Sequence, residues 1–429
     1  MARVLLTLDE PRTGPDGRMA GLQVRVHEMA AALARAGHAA IVATTDELAA
    51  CGPVDVWIAH PRMVAPLGPA VRARALVVDG YESPFGSFLA QAAALLPRVG
   101  DRAAQDYRAS AVASLAALGA ADRVLAANES QRTAYLTMLA MLGRIGPRTP
   151  DGDLVLCVPS GASPAPPRRD GDVTPHEPVL LWCGGCYPWF DVETYLAALA
   201  RVTSAVPAVR LRFAGIDGVA GDPSALPLAR RIREAVAGSA ALRARSEFVA
   251  WLPYAERGGL YAAADVGVCT YGDHLETRLA MRTRVIDMIW GGLPLVVSAG
   301  DEMSRVVEAH ALGRVVAPAD PSALADAIVA LLADAAGRRA MSARAQALAA
   351  GDLSWDRQIA PLAAYCEAVA AGATGVRRAA RPSEAIVRLN DGRARRLADA
   401  LRRVAWRAGR VWRRLRRTGA EPVPGRVWA

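Results

Sequence analysis

The strongest constraint on the fold is an alternation of short β-branched runs with longer helical segments. In the first half of the chain, such runs occupy residues 4–8, 40–44 and 75–79, and a helical pattern of apolar residues follows the first of them. Strands that alternate with helices in this way are typical of a parallel sheet covered by helices. A second series runs from residue 179 to residue 297. The pattern therefore predicts two α/β domains in this chain of 429 residues.

A stretch rich in Pro, Asp and Arg, residues 161–178, separates the two series and predicts a linker. We therefore expect a Rossmann-like N-terminal domain over residues 1–165, a Rossmann-like C-terminal domain over 178–370, and a basic tail over 371–429. Open parallel sheets bind ligands at the carboxyl ends of their strands. A ligand is thus expected in the cleft where the strand ends of the two domains face each other.

Charge is distributed unevenly along the chain. All 51 basic residues are arginine, and the formal net charge is +9. Residues 377–429 contain 16 Arg and four acidic residues, a net of +12, so the preceding 376 residues carry 35 Arg and 38 acids, a net of −3. Because the body of the chain is nearly neutral, a nucleic-acid-binding body is disfavoured, and we expect no nucleic-acid partner.

Residues 393–417 of the tail have the pattern of a basic amphipathic helix. They contain 11 Arg against a single acid, Asp399, and apolar residues recur at helical spacing from Leu397 to Leu415. An arginine-rich face opposite leucine and tryptophan is typical of helices that lie on an anionic membrane surface. A helix packed on the body of the protein, or one that binds RNA, is the alternative.

Cysteine use and the length of the apolar runs bear on location. The six cysteines lie mostly in strand-like runs, which is typical of proteins from a reducing cytoplasm. We find no run of the roughly 18 apolar residues that a membrane span needs, and the N-terminal run is too short for a signal peptide. We expect a cytoplasmic protein, peripheral on the inner face of the plasma membrane if the tail binds lipid.

Two segments of the second series have residues suited to a nucleotide. Gly184 and Gly185 lie where a strand turns into a helix, where glycine lets the backbone approach a ligand and a helix N-terminus can hold phosphate. Arginine forks suit a diphosphate, and a carboxylate suits ribose hydroxyls. One loop-to-helix segment supplies both: Glu276, Arg278, Arg282, Arg284 and Asp287. A solvated charged helix face is the alternative for this segment.

Two patterns that imitate metal sites have a simpler explanation. The pair Cys183 and Cys186 has zinc-like spacing but no second pair to complete a site. Asp-x-Asp pairs at 151–153 and 170–172 lie in loops around the linker, where aspartate commonly forms solvated turns. We therefore expect no metal site.

The segments 184–191 and 276–297, with 128–132, resemble the GT-B glycosyltransferases, specifically the bacterial family 4 enzymes, which are retaining and use nucleotide sugars. The similarity covers about residues 1–370. It is most specific over 276–297, which looks like the E-T-R…R-T-R-V-x-D-x-x-W-x-G-L-P version of the family's donor motif. The resemblance implies a GT-B fold, with two Rossmann-like domains, a cleft between them and, in this chain, a basic C-terminal tail.

The resemblance assigns roles near the donor. It implies that Asp287 holds the donor ribose and that Arg284, with Arg282 beside it, lies near the donor diphosphate. It also implies that the N-domain glycine loop faces the donor phosphates, which points to Gly21 and the nearby Arg25.

The sequence departs from the family pattern at two places. Leu279 stands where the first of two glutamates is usual, and the nearest acid is Glu276, which becomes the candidate for contact with the donor sugar. The usual Gly-Arg…Lys pair after the first strand of the second domain is absent. The diphosphate is then expected to depend on the arginines of residues 278–284 and on backbone amides.

Asp79 and Glu82 lie at the end of a strand directed at the expected cleft. That position suits a carboxylate that contacts the acceptor, and an ordinary turn cap at the strand end is the alternative. With Glu276, these two residues form the candidate catalytic set.

These patterns together predict a glycosyltransferase that moves a sugar from a nucleotide diphosphate sugar to a hydroxyl acceptor. The resemblance implies retention by front-face attack, in which the diphosphate takes the acceptor proton, without a metal or another cofactor. The tail favours a membrane-associated or lipid-linked glycan of cell-surface polysaccharide synthesis as acceptor. The alternatives are a glycosyltransferase of a soluble natural product and a non-catalytic subunit that binds nucleotide sugars.

The charge distribution makes the tail testable. Replacing the 11 arginines of residues 393–417 with glutamine should abolish sedimentation of the full chain with phosphatidylserine vesicles, because the body carries a net charge of −3. Binding of the unmodified chain should fall with added salt, since exposed charges are screened over about 8 Å at physiological ionic strength. Equal sedimentation of the two proteins, or complete displacement of the vesicles by RNA, would contradict the membrane interpretation.

Overall fold

Two six-stranded parallel sheets organise the structure, a computed structural model that describes residues 1–8, 17–147, 153–167, 177–218 and 225–372. The α/β fold with two Rossmann-like units that the sequence predicts is confirmed. Within the described ranges, no helix combines the length and the apolar character needed to cross a membrane.

Some predicted features fall outside the described ranges. They are the tail from residue 373 onward, residues 13–16 of the glycine loop, residues 168–176 of the linker, and the Asp-x-Asp pairs apart from Asp153.

The first unit is a sheet in the order β2-β1-β3-β4-β5-β6, with every neighbouring pair parallel. Its strands are β1 (Arg3–Leu8), β2 (Ala39–Thr44), β3 (Val54–Ala59), β4 (Ala73–Asp79), β5 (Arg123–Ala126) and β6 (Val155–Cys157). Its helices are α1 (Gly21–Arg35), α2 (Leu48–Cys51), α3 (Pro61–Leu67), α4 (Ser87–Val99), α5 (Asp101–Ala120) and α6 (Glu129–Met141), with short 3₁₀ turns at Thr45–Glu47 and Gly68–Ala70.

The second unit repeats the design in the order β12-β11-β10-β7-β8-β9. Its strands are β7 (Val179–Cys183), β8 (Arg210–Ala214), β9 (Ser246–Val249), β10 (Val266–Cys269), β11 (Leu295–Ser298) and β12 (Gly313–Val316). Its helices are α7 (Val192–Ala205), α8 (Leu226–Gly238), α9 (Ala240–Arg243), α10 (Arg257–Ala262), α11 (Leu275–Leu279), α12 (Thr283–Trp290), α13 (Glu302–Ala309), α14 (Pro321–Ala333) and α15 (Ala335–Ala350), with a 3₁₀ turn at Tyr254–Glu256.

The last two helices, α16 (Trp355–Gln358) and α17 (Ala360–Ala370), return to the first unit. Trp355, Leu362 and Cys366 are buried in one cluster with strand residues of the first sheet, and α17 contacts β3 and β6. The sequence places these helices within the 178–370 domain because they follow it in the chain. Their apolar stripe instead covers the first sheet, since spacing along a helix shows which face is buried but not against what.

The chain therefore crosses between the two units twice, and the described parts of the two crossings come together at Ala162. The Ala162 amide donates to the Leu353 carbonyl at 2.6 Å, and the Trp355 amide donates to the Ala162 carbonyl at 3.2 Å. Gly161 allows this approach, because a Cβ atom there would lie 2.6 Å from the Trp355 backbone. The two crossings thus form one hydrogen-bonded connection.

Because the backbone of Trp355 cannot yield, Gly161→Ala should lower the free energy of unfolding by about 2–3 kcal/mol or more. Gly238→Ala is the matched control, since nothing lies within 4 Å of a Cβ atom at that position. Denaturant titration of both variants measures the difference. Equal stability of the two variants would show that the crossings are not packed tightly.

Candidate functional site

The cleft between the two units contains two adjoining cavities. The first, the Asp287 cavity, has a volume of about 180 Å³ and lies at the carboxyl ends of β7 and β8. The second, the Glu82 cavity, has a volume of about 240 Å³ and is lined by both units. Gly21, Thr283 and Arg284 border both cavities. The position matches the rule that parallel sheets bind ligands where the strand order reverses, here at β7 and β10.

Two glycines form part of the wall of the Asp287 cavity. Gly184 has a φ of +83°, and a Cβ atom there would lie 3.1 Å from Nη2 of Arg284. At Gly185 a Cβ atom would lie 3.0 Å from the ring of Tyr187. The glycines leave space for these side chains, and the Arg284 Nη2 donates to the Gly185 carbonyl at 2.6 Å while its guanidinium lies 3.8 Å from the centre of the Phe190 ring.

The N-termini of two helices meet at the border between the cavities. Helix α1 begins at Gly21 and α12 begins at Thr283, and a Cβ atom at Gly21 would lie 3.7 Å from Oγ1 of Thr283. The partial positive charge of a helix N-terminus attracts anions. Together with Arg284, the two helix ends make this border attractive to anions.

Asp287 lies on α12 and faces the first cavity. Its carboxylate accepts from Nε of Arg257 at 3.3 Å, and 23% of its side chain is exposed. Burial raises the pKa of Asp287, and the charge of Arg257 opposes that shift. Arg257 is itself enclosed, since its guanidinium lies 3.6 Å from the centre of the Tyr254 ring and 4.1 Å from that of Trp290.

Arg257 also connects the Asp287 cavity to the first unit. Its Nη2 donates to Oγ of Ser163 at 2.7 Å. Ser163 and the Tyr254 hydroxyl in turn donate to Oε1 of Glu28, on α1, at 2.8 and 3.0 Å. The sequence prediction missed this network, because its members lie far apart in the chain and no local motif marks Arg257.

Glu276 and Arg282 both line the Glu82 cavity, but they pair with each other. Arg282 donates from Nη1 and Nη2 to the two Glu276 oxygens at 2.8 and 2.7 Å, and its Nε lies 3.3 Å from Oδ2 of Asp301. Burial alone would lower the pKa of Arg282, but Glu276 and Asp301 more than offset it and the pKa is raised. Arg282, expected beside Arg284 near the diphosphate, therefore lines the Glu82 cavity with its charge balanced by two carboxylates.

Arg25 and Asp79 are not in either cavity. Arg25 is fully buried and donates to both Asp79 oxygens, at 2.9 and 3.0 Å, and to Ser160 and Val158 of the first crossing. Asp79 also accepts a hydrogen bond from the Tyr81 amide at 3.3 Å. This contact caps the turn at the end of β4, which is the alternative to contact with an acceptor. The structure therefore does not bring Arg25 or Asp79 to the two cavities, because the two side chains satisfy each other inside the first unit.

Arg278 points away from the cleft. Its side chain is 64% exposed and pairs with Asp273 at 3.0 Å. It borders neither cavity, so the expectation that Arg278 contributes to a diphosphate site is corrected. Of the three arginines that the sequence singles out between residues 278 and 284, Arg284 borders both cavities, Arg282 borders the Glu82 cavity while paired with carboxylates, and Arg278 borders neither.

Glu82 is the candidate carboxylate that faces the second cavity with substantial exposure. Its side chain is 32% exposed and lies 3.8 Å from Nε2 of His60. Burial and the nearby positive charge of Arg62 lower the pKa of His60 to about 3, so the imidazole is neutral near pH 7. Gln91 from α4 lines the same cavity. The first unit thus contributes a carboxylate and an amide that could hydrogen-bond a polar ligand.

Solved structures with this fold are found among glycosyltransferases. Sucrose-phosphate synthase from Thermosynechococcus elongatus aligns with 87% of this chain and 100% of its own, at a TM-score of 0.65 and 17% identity. Alr3699/HepE from Anabaena, solved with UDP-glucose, aligns with 85% of this chain and 100% of its own, at a TM-score of 0.57 and 16% identity. WaaG, a glycosyltransferase involved in lipopolysaccharide biosynthesis, aligns with 83% of this chain and 98% of its own, at a TM-score of 0.57 and 16% identity. The fold is therefore that of the GT-B glycosyltransferases.

The sequence of the second unit carries the family signal. Residues 177–334 match the family model described as glycosyl transferases group 1. This stretch includes Gly184, Arg284, Asp287 and the remaining second-unit walls of the cavities. Comparison with curated protein sequences finds no match. With the GT-B fold, the group 1 domain identifies the chain as a glycosyltransferase.

The pKa of Asp287 leads to a pH prediction. Burial raises the pKa of Asp287 above the ordinary value for aspartate, which is about 3.9. The charged carboxylate, which would accept hydrogen bonds from the ribose hydroxyls, is therefore lost as the pH falls through this raised pKa. Affinity for the tightest binder among UDP, GDP, ADP and dTDP should therefore decline on acidification. Arg257→Gln should move the decline to higher pH, because Arg257 opposes the shift.

Calorimetric titration across a pH series measures this effect, and Asp287→Asn is the control because it removes the titrating group but leaves the phosphates of the ligand. The difference between the wild-type and Asp287→Asn profiles isolates the carboxylate. Parallel profiles for the two proteins would rule out a titrating Asp287 at the nucleotide.

Proposed function

We propose that this enzyme transfers a sugar, with retention, from a nucleoside diphosphate sugar to a hydroxyl acceptor. The observation that carries the proposal is the meeting of Arg284 with the N-termini of α1 and α12 between two cavities. The nucleoside would occupy the Asp287 cavity with its ribose hydroxyls donating to Asp287. The diphosphate would lie at Arg284, and the sugar would extend into the Glu82 cavity.

The transfer itself would need no protein nucleophile. The acceptor oxygen bonds to the anomeric carbon on the face from which the diphosphate departs, the carbon–oxygen bond to the diphosphate breaks, and the acceptor proton passes to a diphosphate oxygen. The pairing of Asp79 with Arg25 and of Glu276 with Arg282 supports this route, because both carboxylates are held by arginines. Glu82 would orient the acceptor hydroxyl.

We propose that the leaving diphosphate is stabilised without a metal ion. Arg284 and the two helix N-termini would balance its charge, and preorganised donors of this kind stabilise charge that develops in a transition state. Turnover should therefore survive excess chelator. Loss of activity in chelator that manganese restores would contradict this part of the proposal.

The acceptor, we propose, is a membrane-associated or lipid-linked glycan of cell-surface polysaccharide synthesis, reached from the inner face of the plasma membrane. The basic pattern of residues 393–417 supports a membrane location. The structural neighbour WaaG is described as involved in lipopolysaccharide biosynthesis, which is compatible with such an acceptor.

Arg284→Ala should weaken binding of the preferred nucleoside diphosphate by about 1.5–3 kcal/mol, the usual contribution of a hydrogen bond to a charged group. Arg278→Ala is the matched control, because that arginine lies on the same segment but is exposed and outside the cavities. Calorimetric titration of both variants makes the comparison. Equal affinity of the wild type and Arg284→Ala would refute the diphosphate assignment.

A further inference from the structure

A third cavity adjoins the Glu82 cavity. This cavity, which we call the Arg98–Arg230 groove, has a volume of about 550 Å³ and lies between α4 of the first unit and the start of α8 in the second. Gln91 and Phe190 border both the groove and the Glu82 cavity. A molecule that reaches the transfer site from this side would therefore also contact the groove.

The walls of the groove are mainly aliphatic. Leu95 on α4 faces Leu226 and Leu228 of α8 across it, and the side chains of Leu95 and Leu226 are 36% and 37% exposed. Helix α4 buries only Phe88, although its sequence is largely apolar. Contiguous apolar surface that faces water usually marks a binding surface. Its connection to the cavities of the site indicates a small-molecule ligand with an apolar part.

Two arginines, one from each unit, give the groove a positive charge. Arg98 lies on α4 and Arg230 on α8, and both are exposed. Among the residues that the structure describes, the lining of the groove includes no acidic side chain, whereas Glu82 and Glu276 line the adjoining cavity. Arginine guanidinium groups suit a phosphate. The charge therefore favours a ligand that combines an apolar chain with an anionic group.

We propose that the Arg98–Arg230 groove binds the alkyl chain and phosphate of the acceptor, so that the hydroxyl to be glycosylated lies in the Glu82 cavity. The proposal rests on the proposed function and specifies its acceptor as an anionic alkyl amphiphile. The basic segment 393–417 of this chain is an unsuitable occupant, because its 11 Arg would be repelled by Arg98 and Arg230. The aliphatic walls favour an alkyl chain over a flat aromatic group.

Photolabelling of the full chain tests the proposal. The probe is dodecyl phosphate with a diazirine near the end of its chain, used below its micelle concentration, and the labelled peptides are identified by mass spectrometry. We expect labels on residues 93–99 and on the first turn of α8. The corresponding dodecanol probe, which lacks the phosphate, should label these peptides about tenfold less. Labels confined to residues 373–429, or equal labelling by the two probes, would overturn the proposal.

Variants separate the two parts of the ligand. Leu95→Asn with Leu228→Asn should reduce groove labelling about tenfold, whereas Leu275→Asn, an exposed leucine outside the groove, should not. The double variant Arg98→Gln, Arg230→Gln should lower groove labelling by the dodecyl phosphate probe to the level that the dodecanol probe gives. Unchanged labelling in either double variant would overturn the proposal.

A parallel titration keeps this test distinct from that of the proposed function. All variants should bind the preferred nucleoside diphosphate as the wild type does, which also shows that they are folded. If nucleotide binding or sugar transfer fails while the groove is labelled, the proposed function is wrong. If nucleotide binding and transfer are intact but the groove is not labelled, the groove assignment is wrong.

Discussion

The buried ion pair between Arg25 and Asp79 is the interaction on which the geometry of the cleft depends. It joins α1 to the carboxyl end of β4, and Arg25 extends the connection to Ser160 and Val158, where the chain leaves the first unit. Removing one partner of a buried pair costs about 3–5 kcal/mol, because the other charge is left without compensation. The pair thus fixes the direction of α1, whose N-terminus at Gly21 borders both cavities.

The arginines of the donor segment differ in function because they differ in their neighbours. Arg278 is at the surface with Asp273, Arg282 is enclosed by Glu276 and Asp301, and Arg284 reaches the cleft. The border between the two cavities therefore combines Arg284 with two helix N-termini rather than a cluster of cations. The ion pair between Glu276 and Arg282 joins α11 to the start of α12, and Arg284 and Asp287 of α12 both line the Asp287 cavity.

The sequence predicted the parallel sheets and pointed to a segment that lines the second-unit side of the cleft, because strand and helix periodicity and the 276–297 motif are local signals. It did not predict that Arg25 and Asp79 pair, since each position looked suited to a ligand when considered alone. The return of α16 and α17 to the first sheet was missed for a related reason. Which surfaces pack together depends on residues hundreds of positions apart, as Trp355 and Val4 are.

The paired crossings have a mechanical consequence. Because Ala162 is hydrogen-bonded to Leu353 and Trp355, the two crossings hold each other at one point of the boundary between the units, and any motion of one unit relative to the other would use this point as its pivot. Helix α17 ends on the first unit, at Ala370. A membrane attachment through the residues that follow would consequently act on the first unit directly and on the second unit only through its contacts with the first.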